Sequence, residues 1–250
     1  MAKQKFLLLF GIVFGVLFVT IPTAIVISDI NSVHFTLIDN AGVMIESKGV
    51  RIYVDPINLP TEYENTPADA VLITHPHADH YQIASINKIQ KDTTMNVFPA
   101  TMLDAIDLFD GHAILPEEQI VVGHIIITAF YMYTLPVGEY PASHPKEENW
   151  TSFIIDCGDC TFFHAGDSKN IPEYEQIKGL IDVALLPLGP GCQTMYEMEV
   201  VNAINTIQPK FVVGIHYIPP TNDQFVTSYV RFIECTYINL NYFSSYKFKI

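Results

Sequence analysis

Basic residues are scarce in this 250-residue chain: 13 Lys and Arg stand against 27 Asp and Glu, a net charge of −14. Nucleic-acid affinity depends on neutralising phosphates, so a surface of this sign argues against a nucleic-acid partner. No Lys/Arg cluster relieves the imbalance. Cysteine is also scarce, with four in the chain, too few for a disulfide framework at this size. Cys157 and Cys160 flank Gly158-Asp159, a dipeptide suited to a two-residue hairpin turn. They read as facing strand residues, as a cross-strand disulfide or, least of all, as half of a metal knuckle that lacks its second pair. Charged residues make up 16% of the chain and hydrophobic residues 49%, the opposite of a disordered composition. No short internal repeat is visible.

The run 6–27 is apolar apart from Gly, Thr and one Pro, with Lys3 and Lys5 before it and Asp29 after it. Its length suits a helix across a bilayer core of about 30 Å. The charge asymmetry predicts a cytoplasmic N-terminus and an extracytoplasmic remainder. The competing reading is a cleaved signal peptide, but Pro22-Thr23-Ala24 is a poor cleavage site. The expectation is a single-pass cell-membrane protein, with residues 1–28 as anchor and 29–250 as one catalytic domain.

From Val33 onward the pattern becomes short strands separated by turns. Strands are predicted over 34–38, 43–46, 51–54, 70–74 and 96–98, with helices over 81–90 and 102–109. A second strand-rich half begins at Ile120. It holds a hairpin over 151–164, a helix over 172–180 with Pro at its first turn, a strand over 183–187, an amphipathic helix over 198–207 and a strand over 211–215. Strands followed by helices, twice over, predict two packed sheets with helices outside, an α/β (α+β) architecture. The aromatic tail from Phe225 has no assigned role.

The strongest chemical signal is Thr74-His75-Pro76-His77-Ala78-Asp79-His80, directly after the buried strand Ala-Val-Leu-Ile. Pro76 keeps the segment out of a regular ladder, so it is a loop at a strand end, able to turn several side chains toward one point. Neutral imidazole and carboxylate suit Zn²⁺, Fe²⁺ or Mn²⁺. Downstream come His144-Pro145-Lys146, Phe163-His164-Ala165-Gly166-Asp167-Ser168, Leu186-Pro187-Leu188-Gly189, Gln193-Thr194-Met195, Pro209-Lys210 and His216-Tyr217. Taken in this order the motifs resemble the metallo-β-lactamase superfamily, in particular a subgroup of uncharacterised metal-dependent hydrolases. The bacterial ascorbate-6-phosphate lactonase and the N-acyl-phosphatidylethanolamine phospholipase D are more distant relatives.

That resemblance covers about 33–219 and implies a four-layer αββα sandwich with two divalent metal ions, zinc first, manganese or iron otherwise. It implies that His75, His77 and His144 hold one ion, that Asp79, His80 and His216 hold the other, and that Asp167 bridges them. A metal-bound hydroxide would then attack an ester, lactone or phosphodiester, with Asp79 or a bound water passing a proton to the leaving group and Tyr217 as an oxyanion donor. Asp55 reads either as a carboxylate orienting the histidine loop or as a turn-opening residue before Pro56. His164 reads as a support of the site or as a satisfied core residue, and His34, His112 and His124 as scaffold. Asn40 stands where many relatives carry Gly-His, and Cys192-Gln193-Thr194-Met195 replaces a Thr-Tyr-Thr-Met pattern. The expected partner is a small-molecule or lipid-derived substrate. A lipid-directed phosphodiesterase and a non-catalytic metal-binding sensor are the alternative functions.

Overall fold

A computed structural model describes residues 32–189 and 191–249. Two seven-stranded sheets carry the fold, in the orders β14-β1-β2-β3-β4-β5-β6 and β13-β12-β11-β10-β9-β8-β7. The first begins as an antiparallel meander of β1 (Val33–Leu37), β2 (Val43–Ser47) and β3 (Val50–Val54). Lys48 and Gly49 turn the chain between β2 and β3, both at positive φ (47° and 82°), the pairing that matches strand twist in a two-residue hairpin. β4 (Ala70–Leu72), β5 (Met95–Pro99) and β6 (His112–Ile114) then add in parallel. Their crossovers carry helices α1 (Ile83–Lys88) and α2 (Leu103–Phe109).

The second sheet starts with antiparallel β7 (Gln119–Val122), β8 (Ile125–Tyr131), β9 (Thr151–Asp156) and β10 (Thr161–His164). It continues in parallel through β11 (Val183–Pro187), β12 (Phe211–Ile215) and β13 (Thr236–Tyr237). All five residues of β11 are buried, as expected for a parallel strand covered on both faces. Helix α3 (Glu197–Ile207) buries Val200, Val201, Ala203, Ile204 and Ile207, one face at helical spacing. Helix α4 (Thr221–Ser228) follows β12.

The inner faces of the two sheets share one core, in which Phe35 of β1 stacks on Phe162 of β10 at 6.0 Å. A second cluster, including Tyr53, Val71, Ile73 and Phe98, lies beneath α1 and α2. The layers therefore run helix, sheet, sheet, helix.

The structure departs from the sequence reading at several points. The run 6–27 lies outside the described residues, and among the described residues no helix is long and apolar enough to cross a membrane. The expected fold with a leading transmembrane helix is corrected to the αββα sandwich that the described residues form, and the single-pass membrane placement finds no spanning helix among them to support it. The tail is not idle: β14 (Ser244–Phe248) pairs with β1 and closes the edge of the first sheet. It brings Phe248 into the core beside Phe35, Phe162 and Phe211, a burial that contributes about 1.5–3 kcal/mol. The helix expected over 172–180 is a 3-10 turn, Pro172–Ile177, because the left-handed Gly179 (φ 72°) stops it. Cys157 and Cys160 are free, buried thiols at the mouth of the β9–β10 hairpin. Burial pushes Cys157 up to about 12 and Cys160 higher still, so both are protonated thiols at neutral pH.

Candidate metal centre

Parallel strands present their carboxyl ends at one edge of a sheet, and here the two sheets present those edges to each other. Asp55 follows β3, the loop 74–80 follows β4, Asp167 follows β10 and His216 follows β12. His144 arrives from the long β8–β9 connection. It is hooked to residue 134 by two bonds, His144 N–H to Thr134 Oγ1 (3.0 Å) and Thr134 N–H to the His144 carbonyl (2.9 Å).

All seven residues singled out by the motifs come together. Ligand atoms of His75, His77 and His144 form one group, and those of Asp79, His80, Asp167 and His216 a second, with all atoms of each group within 4.8 Å of one another. Asp167 joins the two groups. Its Oδ1 is 3.1 Å from His80 Nε2, while its Oδ2 is 3.3 Å from His216 Nε2, 3.5 Å from His144 Nε2 and 3.9 Å from His75 Nε2. His216 Nε2 is also 3.2 Å from Asp79 Oδ2. Ligands 2.0–2.2 Å from a tetrahedral ion lie about 3.3–3.6 Å from each other, and the spacings here straddle that range. His80 Nε2 and both Asp167 carboxylate oxygens are buried and have no hydrogen-bond partner, the nearest approach between them being 3.1 Å. Buried polar atoms left in this state cost about 1–3 kcal/mol each unless something else satisfies them, and a cation does so. The donor set therefore fits a pair of divalent ions.

Hydroxyl relays orient the histidines. Asp55 is fully buried and accepts three bonds, from Thr74 N–H (2.8 Å), Thr74 Oγ1 (2.6 Å) and His80 Nδ1 (2.7 Å). Because the Thr74 hydroxyl spends its proton on Asp55, it accepts from His75 Nδ1 (2.9 Å). Ser143 repeats the device, donating to the Cys192 carbonyl and accepting from His144 Nδ1 (2.9 Å). His75, His80 and His144 are thereby all held with Nε2 as the nitrogen facing the centre. Of these supports the sequence reading had reached only Asp55. The signal it passed over is a hydroxyl residue immediately before a ligand-type histidine, in Thr74-His75 and in Ser143-His144.

Asn40 also works at the site. In a left-handed conformation (φ 52°), its amide donates to the Asp79 carbonyl (3.0 Å) and to Asp79 Oδ2 (3.3 Å), while its carbonyl accepts from His216 N–H (2.9 Å). His164 is not a ligand: it donates from Nε2 to the Ala41 carbonyl (2.7 Å) and accepts the Gly166 N–H at Nδ1 (3.2 Å), pinning the turn before Asp167. Gly166 has φ 55°, and a Cβ there would meet Met132 Sδ at 2.5 Å, so no other residue fits. Tyr217 departs from its expected oxyanion role. Its hydroxyl donates to the Leu240 carbonyl (2.7 Å) and its ring stacks on Tyr242 at 4.8 Å, which fastens the C-terminal tail beneath the site.

Charge in the metal-free centre is set by competition between burial and neighbours. Burial, with the other histidines, holds His75 well below the usual histidine range and His144 at about 4, so both are neutral at pH 7. Burial opposes charge on His80 as well, but Asp167 and Asp55 on its two sides win and hold it above that range. At His216 burial is likewise overcome, chiefly by the bond to Asp79, and the value rises to about 9. Below about pH 9 His216 thus carries a proton that an ion must displace, and the proton on His80 is also held above the usual histidine range. Displacement of the His216 proton alone makes metal affinity rise by about one decade per pH unit from pH 6.5 to 8.5 and flatten as pH passes about 9. The stability of the chelated protein runs the other way, since raised groups stabilise below their unfolded value near 6.5 and lose that contribution as pH climbs through about 9. Competition against a fluorescent chelator at several pH values tests the affinity, and a flat profile would refute the exchange of the His216 proton for metal.

Residues 34–216 match the family model described as Beta-lactamase superfamily domain. A UPF0173 protein of Pyrococcus abyssi is 30% identical over 178 residues, covering 70% of this chain and 78% of that protein. A UPF0173 metal-dependent hydrolase of Caldivirga maquilingensis is 31% identical over 190 residues, covering 71% and 79%. Among solved structures, Igni18, a metallo hydrolase from the archaeon Ignicoccus hospitalis, superposes with a TM-score of 0.70 at 21% identity, covering 88% of this chain and 99% of that one. The match extends across both sheets and ends at His216, so it takes in every residue of the cluster. The chain is a member of the β-lactamase superfamily and, within it, of the UPF0173 metal-dependent hydrolases.

Proposed function

We propose that the chain hydrolyses a small ester, lactone or phosphodiester at a dinuclear centre, with zinc as the first choice of metal and manganese or iron next. His75, His77 and His144 would hold one ion and Asp79, His80 and His216 the other, with Asp167 within reach of both. The observation that supports this most directly is Asp167, a fully buried carboxylate without a hydrogen bond, set among four imidazole nitrogens at 3.1–3.9 Å. When bound, such a pair of ions supplies a hydroxide at neutral pH and an electrophile for the carbonyl or phosphoryl oxygen.

The chain's own residues hold and move the proton. The Asp79 side chain is 46% exposed, so it stands where the centre opens to solvent. The bond from His216, with His80 nearby, outweighs burial and keeps it ionised throughout the working range. It takes the proton released as the substrate is attacked and returns it to the leaving group at Oδ2. Asn40 holds that carboxylate at two points, fixing the direction of transfer. The net charge of −14 favours a small substrate over nucleic acid. The lipid-directed alternative rested on the N-terminal anchor and has no other observation behind it, and the sensor alternative would require a missing ligand.

Chelated protein reloaded with Zn²⁺, Mn²⁺ or Fe²⁺ should bind two equivalents by elemental analysis. The loaded enzyme should turn over one class in a panel of carboxylic esters, lactones and phosphodiesters. Saturation at one equivalent would remove the dinuclear reading.

A further inference from the structure

Beside the three-histidine group lies a cleft of about 490 Å³. Pro76 and Tyr81 from the histidine loop form one wall, Met102 and Leu103 at the start of α2 another, and Trp150 the end nearest the centre. The Trp150 ring lies 5.4 Å from His75, 5.3 Å from His77 and 5.6 Å from His144, centroid to centroid. One indole thus forms a wall of the cleft and packs against all three rings. Leu103 is 70% exposed, an unusually large apolar side chain to leave open beside such a site. The Thr101 hydroxyl donates to the Glu148 carbonyl at 3.1 Å, tying the start of α2 to the segment that carries Trp150.

The charged residues lining the cleft are Asp104 and Glu148, both exposed at its rim. No Lys or Arg lines it. Lys146, the cation nearest in sequence, is committed elsewhere, 2.7 Å from Glu173 and over the rings of Tyr131 and Tyr133. An anionic group entering here would meet apolar walls and two carboxylates with no counter-ion, whereas an uncharged apolar group meets an aromatic end wall and loses little hydration.

We infer that this cleft is the specificity subsite of the enzyme and receives an uncharged apolar group, aromatic or branched, attached next to the scissile bond. The inference rests on the hydrolytic reading above and narrows it. The substrate class becomes an ester or lactone carrying a neutral apolar substituent beside the scissile bond, with substituents that bear a carboxylate disfavoured.

Trp150 is the only tryptophan in the chain, so its emission reports the cleft directly. Chelated full-length protein excited at the red edge of indole absorption is titrated with benzyl alcohol and with benzoate. Benzyl alcohol should give a saturable change and benzoate a binding constant at least about tenfold weaker, the size of effect expected for one unpaired charge. Leu103→Glu, at an exposed position, should weaken benzyl alcohol several-fold without lowering the melting temperature. With metal-loaded enzyme, kcat/KM for a phenylacetate ester should exceed that for the acetate ester of the same alcohol, and Leu103→Glu should collapse that ratio. Equal or tighter benzoate binding, or no response to either probe, overturns the subsite. Turnover indifferent to the acyl group overturns it as well. Selective benzyl alcohol binding in a protein that hydrolyses no ester leaves the cleft standing and overturns the hydrolytic reading, so the two failures are distinguishable.

Discussion

Asp167→Ala is expected to lower kcat by at least about 10³-fold and to take bound metal below two equivalents. The size follows from the Lewis-acid contribution of an ion, several kcal/mol, when about 1.4 kcal/mol is tenfold in rate. Asp167 is the residue for which this should be most severe, because its two oxygens reach ligand nitrogens of both groups, His80 on one side and His144 and His75 on the other. A collapse of the fold would mimic the result, so Asp167→Asn is the companion variant. It keeps the volume in this fully buried position and removes only the charge, which Asp167 retains because His80, His216 and His144 outweigh the burial that would otherwise raise its pKa. Elemental analysis, circular dichroism and turnover of the best substrate in the panel read the three effects separately. Two full equivalents and a wild-type rate in Asp167→Asn would show that the carboxylate is not a ligand.

The second large effect belongs to a residue outside the candidate ligand set. Asp55→Ala strands the Thr74 N–H, the Thr74 hydroxyl and the His80 Nδ1–H in the interior at once. Removing one partner of a buried network of this kind costs about 3–5 kcal/mol of stability. Loss of an orienting carboxylate costs about 10–100-fold in metal affinity. Asp55→Asn separates the two. Its amide oxygen still accepts from Thr74 N–H, so stability falls less. Its NH₂ faces His80 Nδ1 and donates there, which moves the imidazole proton to Nε2 and removes the lone pair aimed at the centre. Metal affinity in Asp55→Asn should therefore fall at least as far as in Asp55→Ala while the melting temperature falls less. Parallel losses in both measurements would mean that Asp55 serves the loop's conformation alone.

Much of the site was legible because its signals are local. Four ligand-type side chains lie within residues 75–80, and the bonds from His80 N–H and Tyr81 N–H to the His77 carbonyl, at 2.9 and 2.8 Å, fold that segment into a tight turn by short-range contacts alone. The Gly158-Asp159 hairpin, the all-buried β11 and the apolar face of α3 were readable for the same reason, since turn chemistry and periodicity act within a few residues. Asp55 was ambiguous because a turn-opening aspartate before proline and a carboxylate accepting three buried bonds look the same in one dimension.

The sequence by itself determined the identity and order of the ligand-type residues, the strand and turn rhythm of both sheets and the charge that disfavours nucleic acid. Tertiary structure decided which of those residues meet, which nitrogen each histidine presents, that Tyr217 binds the tail, that β14 closes the first sheet and that Trp150 stands between the histidines and an apolar cleft. These outcomes rest on partners far apart in the chain, such as His75 with His144 (69 residues) and His164 with Ala41 (123 residues). Local propensity carries no information about such pairs. They are fixed only when parallel strands from two separate sheets bring their carboxyl ends to the same edge of the sandwich.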